Sequence, residues 1–304
     1  MKKNVLITGG SGFVGRYLSR LLIDNGYTVS ILSRSKRANT ANTFYYTWDV
    51  ENQVIEEDAV LKADYVIHLA GANIAEKRWT KERKEIIINS REQSATLILS
   101  VLKKHNKKLE AFISASAVGI YGAVSGETIC DENTAPANDF LGMVCQKWEA
   151  VADLFGQMGI RTVKVRTGLV LGKNDGFLNK LTPIFKFRLG AALGSGKQYM
   201  PWIYVEDLCA IYLEALRNSN MDGAYNAAIN DNTTNASFSK TLAKLYGYSI
   251  WLPNVPAFLI KIVLGEMAKL VLTGRRVSSA KIERLGFHFK FKSLEDTLRI
   301  CLSK

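Results

Sequence analysis

The stretch Thr8-Gly9-Gly10-Ser11-Gly12-Phe13-Val14-Gly15 constrains this chain more than any other feature. It follows a short apolar run, Lys3 to Thr8, that reads as a buried strand. A segment of helical period follows it, Phe13 to Asp24, with Phe13, Val14, Tyr17, Leu18, Leu21 and Leu22 on one face. Gly9 permits a sharp strand-to-helix turn. Gly12 lets backbone N–H groups approach a pyrophosphate with no Cβ in the way. Gly15 lets the helix pack closely on the strand. The helix N-terminus then turns its positive dipole end toward the phosphates. A purely structural glycine turn is the alternative, and the strand and helix on either side argue against it.

The pattern continues. Tyr27 to Leu32 reads as a second strand after a helix-ending Gly26. Phe44 to Trp48, Tyr65 to Leu69, Leu109 to Ser114 and Arg161 to Arg166 read as further strands. Trp79 to Lys103 and Phe140 to Gln157 read as helices. Strands alternating with helices of this length predict an α/β fold, a Rossmann-type doubly wound parallel sheet. After about residue 170 the alternation weakens. We expect residues 1–170 to form the nucleotide-binding domain. Residues 171–304 would form a smaller, interleaved C-terminal substrate lobe, with a distinct region at about 250–300.

Composition narrows the function classes. The chain has 304 residues, 47% of them hydrophobic, which excludes a disordered chain. Its four cysteines show no paired spacing, and His occurs only at 68, 105 and 288, so no metal site is expected. Lys2 and Lys3 resemble the start of an export signal, but the apolar run after them breaks at Gly9-Gly10. The apolar stretch Ala257 to Leu272 carries Lys261, Glu266 and Lys269, too many charges for a span of about 20 apolar residues. It reads as one amphipathic helix. A cytoplasmic location and no membrane partner are therefore expected. The net charge of +12 fits an anionic partner or a solvated basic face. Lys103, Lys104, Lys107 and Lys108, at a helix C-terminus, favour the second reading. Nucleic acid is not expected, because no basic motif is interleaved with aromatics.

At the end of the second strand stands Ser33-Arg34-Ser35-Lys36-Arg37, with no acid. An NAD-preferring site places Asp or Glu there for the ribose 2′-hydroxyl. A guanidinium can instead hold a 2′-phosphate bidentately. NADP(H) is expected over NAD(H), through Arg34; an ordinary basic loop is the other reading.

With these residues in view, the chain resembles the extended short-chain dehydrogenase/reductases of the nucleotide-sugar epimerase/dehydratase superfamily. Further segments agree: Asp49, His68-Leu69-Ala70-Gly71-Ala72, Asn89, Ser114-Ala115-Ser116-Ala117-Val118, Arg166-Thr167-Gly168-Leu169-Val170-Leu171-Gly172 and Trp202 to Leu208. It resembles most an epimerase-like branch of unassigned substrate with a C-terminal domain of unknown function. Arg78-Trp79-Thr80, Ser90-Arg91, Val144 to Glu149, Gly274-Arg275-Arg276-Val277 and Gly286-Phe287-His288-Phe289 carry that likeness. The resemblance implies a cofactor set of Gly9, Ser11, Gly12, Phe13, Val14, Gly15, Arg34, Asp49, Leu69, Ala70, Gly71, Ser114, Arg166, Gly168 and Leu169. It also implies a catalytic hydroxyl at Ser116.

One departure stands out. The superfamily's proton relay is a Tyr-x-x-x-Lys pair on one helix face. None of the 12 tyrosines here is followed four residues later by Lys, and Phe140 to Glu149 reads FLGMVCQKWE. Ser116 is the first substitute, polarising a substrate carbonyl or hydroxyl; a strand-end Ser satisfying backbone groups is the alternative. Tyr121 offers a phenol or else packs under a loop. Lys147 offers a cation or else lies on the helix surface. Cys145 and Glu149 are candidates to face the site, Arg91 to pair an anion, and His68 to lie beside the cofactor turn. The expected function is NADP(H)-dependent oxidoreductase or epimerase-like chemistry on a small polar substrate, an anionic one included. The alternative is a non-catalytic NADP(H)-binding sensor. The chain is expected as a monomer, or as a homodimer through its two long helices.

Overall fold

The computed structural model describes residues 2–173 and 176–303. The strands are β1 (Asn4–Thr8), β2 (Thr28–Ser33), β3 (Thr43–Asp49), β4 (Val54–Ile55), β5 (Tyr65–His68), β6 (Ala111–Ala117), β7 (Gly126–Cys130), β8 (Arg161–Thr167), β9 (Leu169–Leu171), β10 (Trp202–Tyr204), β11 (Gly223–Ala227) and β12 (Arg275–Val277). The helices are α1 (Phe13–Asp24), α2 (Asp58–Leu61), α3 (Lys81–Lys104), α4 (Phe140–Gln157), α5 (Gly176–Lys186), α6 (Val205–Arg217), α7 (Asn235–Leu245), α8 (Ala257–Leu264), α9 (Lys269–Leu272), α10 (Ala280–Glu283) and α11 (Leu294–Leu302).

Eight strands form the main sheet in the order β11-β8-β6-β5-β1-β2-β3-β4. All are parallel except the two-residue β4, which pairs antiparallel with β3. The strands are apolar on both faces, as a parallel sheet covered on both sides requires. Val5 and Ile7 enter one core with α1, α6 and α11. Leu6, between them, enters the opposite core with α2, α3 and α4. This alternation makes the three layers. The chain leaves β1 toward β2 and β3, then returns to β1's other side at β5. The crevice above the carboxyl ends of β1 and β5 is the topological switch point, where such sheets bind ligands.

Local signals set the helices that frame this crevice. Thr80 caps α3, its hydroxyl accepting from the Arg83 N–H, and Lys103 and Lys104 close the last turn. Asp139 caps α4 through the Gly142 N–H at 2.9 Å. A Cβ at Gly142 would lie 2.0 Å from the Ala137 carbonyl oxygen, so only glycine fits that first turn.

One feature differs from expectation. Ala257 to Leu272 is not one helix. α8 ends at Gly265, whose φ of 61° L side chains rarely adopt, and a 3₁₀ turn leads to α9. Beyond residue 171 the chain returns a strand to the main sheet, β11 beside β8. Tail residues Leu264, Met267 and Leu270 pack with Trp79, Ile87, Phe140 and Leu141 over the first turns of α3 and α4. The four cysteines are buried and unpaired. Among the described residues no helix is long and apolar enough to cross a membrane, and no group of His, Cys, Asp or Glu could hold a metal ion.

Candidate functional site

The glycine turn sits at the switch point. Gly9 has φ 71°, and the Gly12 N–H closes the turn on the Gly9 carbonyl at 2.9 Å. A Cβ at Gly15 would come within 2.4 Å of that carbonyl oxygen, so α1 can start here only on glycine. No side chain caps α1, which leaves its first N–H groups to a ligand. Thr8, fully buried, braces the opposite wall: its hydroxyl accepts from the Leu69 and Ala70 N–H groups at 3.1 and 3.0 Å.

A cavity of about 280 Å³ opens beside this turn. Gly9, Gly12, Phe13, Val14, Gly15 and Leu69 line one side; Ala115, Ser116, Thr167, Val170, Leu208 and Tyr212 line the other. Ser11 and Arg34 are exposed, Arg34 just past the end of β2. These residues fit a dinucleotide: a cradle that any Cβ would fill, an uncapped helix end, and a guanidinium beside the second strand.

Several expected cofactor residues are engaged elsewhere. Both Asp49 oxygens accept from Asn52, at 3.0 and 2.8 Å, and these bonds hold the carboxyl below its ordinary pKa. Ser114 is buried, donates to the Ala115 carbonyl at 2.9 Å and does not line the cavity. The Gly168 and Leu169 N–H groups donate to Ala227 and Pro201 carbonyls, so it is Thr167 and Val170 that face the cavity. Gly71 packs on Arg91.

The expected catalytic trio separates. Ser116 lines the cavity and donates to Glu149 Oε1 at 2.7 Å. Lys147 lies outside the site, on the exposed side of α4, with its ammonium 3.5 Å from Glu92 on α3. Tyr121 is 2% exposed and faces away from the cavity. Its hydroxyl donates to Asn226 Oδ1 at 2.7 Å and accepts from Arg166 Nη1 at 3.1 Å. Burial pushes that phenol up to about 12, outweighing the pull of Arg166.

Arg166 belongs to the expected cofactor set. The structure places it behind Ser116, bidentate on Glu149 at 2.8 and 2.9 Å, both side chains 8% exposed. Burial opposes its charge, but the hydrogen bonds and attraction of Glu149 win and raise its pKa. The network continues through Asn226, whose N–H donates to Glu132 Oε1 at 2.7 Å and whose amide donates to the Ser278 carbonyl at 2.9 Å. Asn226 and Glu132 gave no signal in the sequence, because the bonds of Asn226 span 52 to 105 residues.

Arg91 does not reach the cavity. It is buried, donates to the Ala72 and Ile87 carbonyls at 3.1 and 2.7 Å, and stacks over Trp148 at 4.7 Å. Burial lowers its pKa to about 10. Cys145 is buried nearby, its thiol pushed up to about 12 by the same cause.

His68 is fully buried, its Nε2 2.8 Å from the Ser94 hydroxyl. Ser94 gives its own proton to the Ser90 carbonyl at 2.6 Å, so His68 Nε2 carries the hydrogen and Nδ1 is bare. Burial, aided by Arg91, pushes its pKa down to about 3. The imidazole is therefore neutral when folded and takes up a proton near pH 6.5 when unfolded. Stability falls as pH drops from 6.5 toward 3, by up to about 1.4 kcal/mol per pH unit from this residue. Melting curves should show a shallower acid slope in His68→Gln than in the wild type; equal slopes would assign the loss to carboxylates.

Comparison with known proteins agrees with this architecture. Residues 5–228 match the NAD dependent epimerase/dehydratase family, and residues 255–301 match a domain of unknown function, DUF1731. The chain is 34% identical to the epimerase family protein YfhF of Bacillus subtilis over 97% of this chain and 96% of that one. It is 35% identical to the chloroplastic SDR39U1 homolog of Arabidopsis thaliana, over 97% and 85%. The crystal structure of the human epimerase family protein SDR39U1 with NADPH superposes with a TM-score of 0.87 at 29% identity, over 98% of this chain and 99% of that chain. Fold, glycine turn and tail domain thus converge: the chain belongs to the NAD dependent epimerase/dehydratase family, in the branch that carries DUF1731.

Proposed function

We propose that this protein is an NADP(H)-dependent oxidoreductase or epimerase-like enzyme acting on a small polar substrate that presents a hydroxyl to Ser116. Bound in the crevice, a nicotinamide would supply or take up a hydride, with the accompanying proton exchanged through the Ser116 hydroxyl and Glu149. Gly9, Gly12 and Gly15 with the first turn of α1 would hold the pyrophosphate, and Arg34 the 2′-phosphate. The human relative solved with NADPH supports that preference.

Ser116 carries the substrate reading. Its single proton points at Glu149, so toward the cavity its oxygen can only accept. A substrate hydroxyl can donate to it; a carbonyl would need the Ser116 proton turned away from Glu149. Arg166, holding both Glu149 oxygens, keeps the carboxylate facing Ser116. A second reading, a non-catalytic NADP(H) sensor, is favoured by one observation. The side-chain polar groups lining the cavity are the hydroxyls of Ser116, Thr167 and Tyr212, and burial pushes the Tyr212 phenol up.

Calorimetry with NADPH and NADH, on wild type and Arg34→Ala, tests the cofactor. Arg34→Ala should cost NADPH at least about tenfold, near 1.4 kcal/mol, and leave NADH unchanged. A screen of polar alcohols and their carbonyl partners then tests turnover, with Ser116→Ala expected to lower kcat by about 10²-fold. Undiminished turnover in Ser116→Ala sinks the catalytic assignment. Tight binding with no turnover, and unequal affinity for NADPH and NADP, would favour the sensor.

A further inference from the structure

Away from the crevice, large apolar side chains stand in water. Phe187, Trp251, Phe258, Ile262 and Val263 are 61 to 75% exposed. Ile184, Leu189 and Leu259 add to them. Single exposed apolar residues are ordinary; a cluster of this size marks an interaction surface. α8 is the extreme case: Ile260 alone of its eight residues is buried.

These residues share one side of the fold. Trp251 Nε1 donates to the Arg188 carbonyl at 3.0 Å, which fixes the indole against the tip that follows α5. The strap before α8 runs along residues 192–194, through Val255 N–H to the Ala192 carbonyl and Gly194 N–H to the Val255 carbonyl, both 2.8 Å. α5 and α8 both touch the loop before α3, Lys180 at the Ala75 carbonyl and Arg78 at the Ile262 carbonyl.

The segments that build this surface carry mostly cations. From Gly176 to Val205 the sequence holds no Asp or Glu, but Lys180, Lys186, Arg188 and Lys197. Between Asp231 and Glu283 the one acid is Glu266, which pairs with Lys84. Lys186 and Arg188 flank Phe187, and Lys261 stands on α8 between Ile260 and Ile262; all three are exposed.

We propose that the tip after α5, Trp251 and α8 form a surface that seats on an anionic phospholipid bilayer. Aromatic and aliphatic side chains would enter the headgroup boundary while Lys and Arg stems lie along it with their charges at the phosphates. A second copy of the chain is the poorer occupant. An isologous contact would set Lys186, Arg188 and Lys261 against themselves. This mode needs no spanning segment.

Co-sedimentation of the full chain tests the proposal, with vesicles of phosphatidylcholine alone and vesicles with phosphatidylglycerol mixed in. Binding should be at least tenfold stronger to the anionic vesicles and weaken with added salt. The double variant Phe258→Glu/Ile262→Glu should lose it, and Lys186→Glu/Arg188→Glu should remove most of the anionic preference. Unchanged far-UV circular dichroism and melting temperature check that each variant folds. The proposal falls if neither vesicle retains the protein, or if the apolar double variant binds as the wild type does. Light scattering that shows an oligomer, converted to monomer by the same double variant, would overturn it in favour of self-association.

Discussion

Glu149→Ala should lower the stability of this fold by about 3–5 kcal/mol, the usual cost of stranding one member of a buried ion pair. The loss falls on two groups at once. Arg166 would keep its charge with neither carboxylate oxygen to meet it, and Ser116 would lose its acceptor. Against a total of about 5–15 kcal/mol this is a large fraction. Urea midpoints read it, provided the slope stays constant. The double variant Glu149→Leu/Arg166→Met should recover most of the loss, since an apolar pair of similar volume carries no desolvation penalty. A Glu149→Ala midpoint equal to the wild type would mean that water reaches and rescues Arg166. The Ser116 hydroxyl would then not be fixed in direction, and the preference for a substrate hydroxyl would go with it.

Gly15→Ala should have the second large effect. The new Cβ would meet the Gly9 carbonyl oxygen at 2.4 Å and the Gly10 Cα at 2.6 Å, both backbone atoms that cannot swing aside. Overpacking of this kind costs about 1–3 kcal/mol. The turn must also open, so the α1 N–H groups leave their place and NADPH affinity should fall at least about tenfold, near 1.4 kcal/mol. Gly26→Ala is the contrast. At φ 86° it strains the backbone, but its Cβ meets nothing within 4 Å. It should cost about 1–2 kcal/mol and leave NADPH affinity alone. Equal loss of affinity in both variants would show that stability, not turn geometry, limits binding.

Local chemistry was legible in the sequence and distant pairing was not. α1 and α4 fall on the residues their periodicity gives, Phe13–Asp24 and Phe140–Gln157, because helical period and caps are local signals. Six of the eight strands of the main sheet were found to within a few residues for the same reason; the two-residue β4 and the late β11 were not. The same periodicity also places Lys147 outside the site: Val144, Trp148, Val151, Ala152 and Phe155 mark the buried face of α4, and Lys147 is off it. The bidentate pairing of Glu149 with Arg166 spans two elements, and Asn226 lies farther still, so no spacing rule brings them together. In the tail, the apolar count of Ala257 to Leu272 hid a glycine whose positive φ ends the helix. An apolar tally also cannot tell a buried α8 from an exposed one; the tertiary packing decides that.

The Ser278 carbonyl that anchors the Asn226 amide bears on how the molecule is made. Arg166, Tyr121 and Asn226 are all translated before it, yet the Asn226 amide finds this acceptor only once residue 278 has arrived. At about 5–20 residues per second, the charged core of the sheet waits several seconds on the ribosome for that last acceptor. Closure of this part of the polar interior is therefore a late event of synthesis, set by the tail.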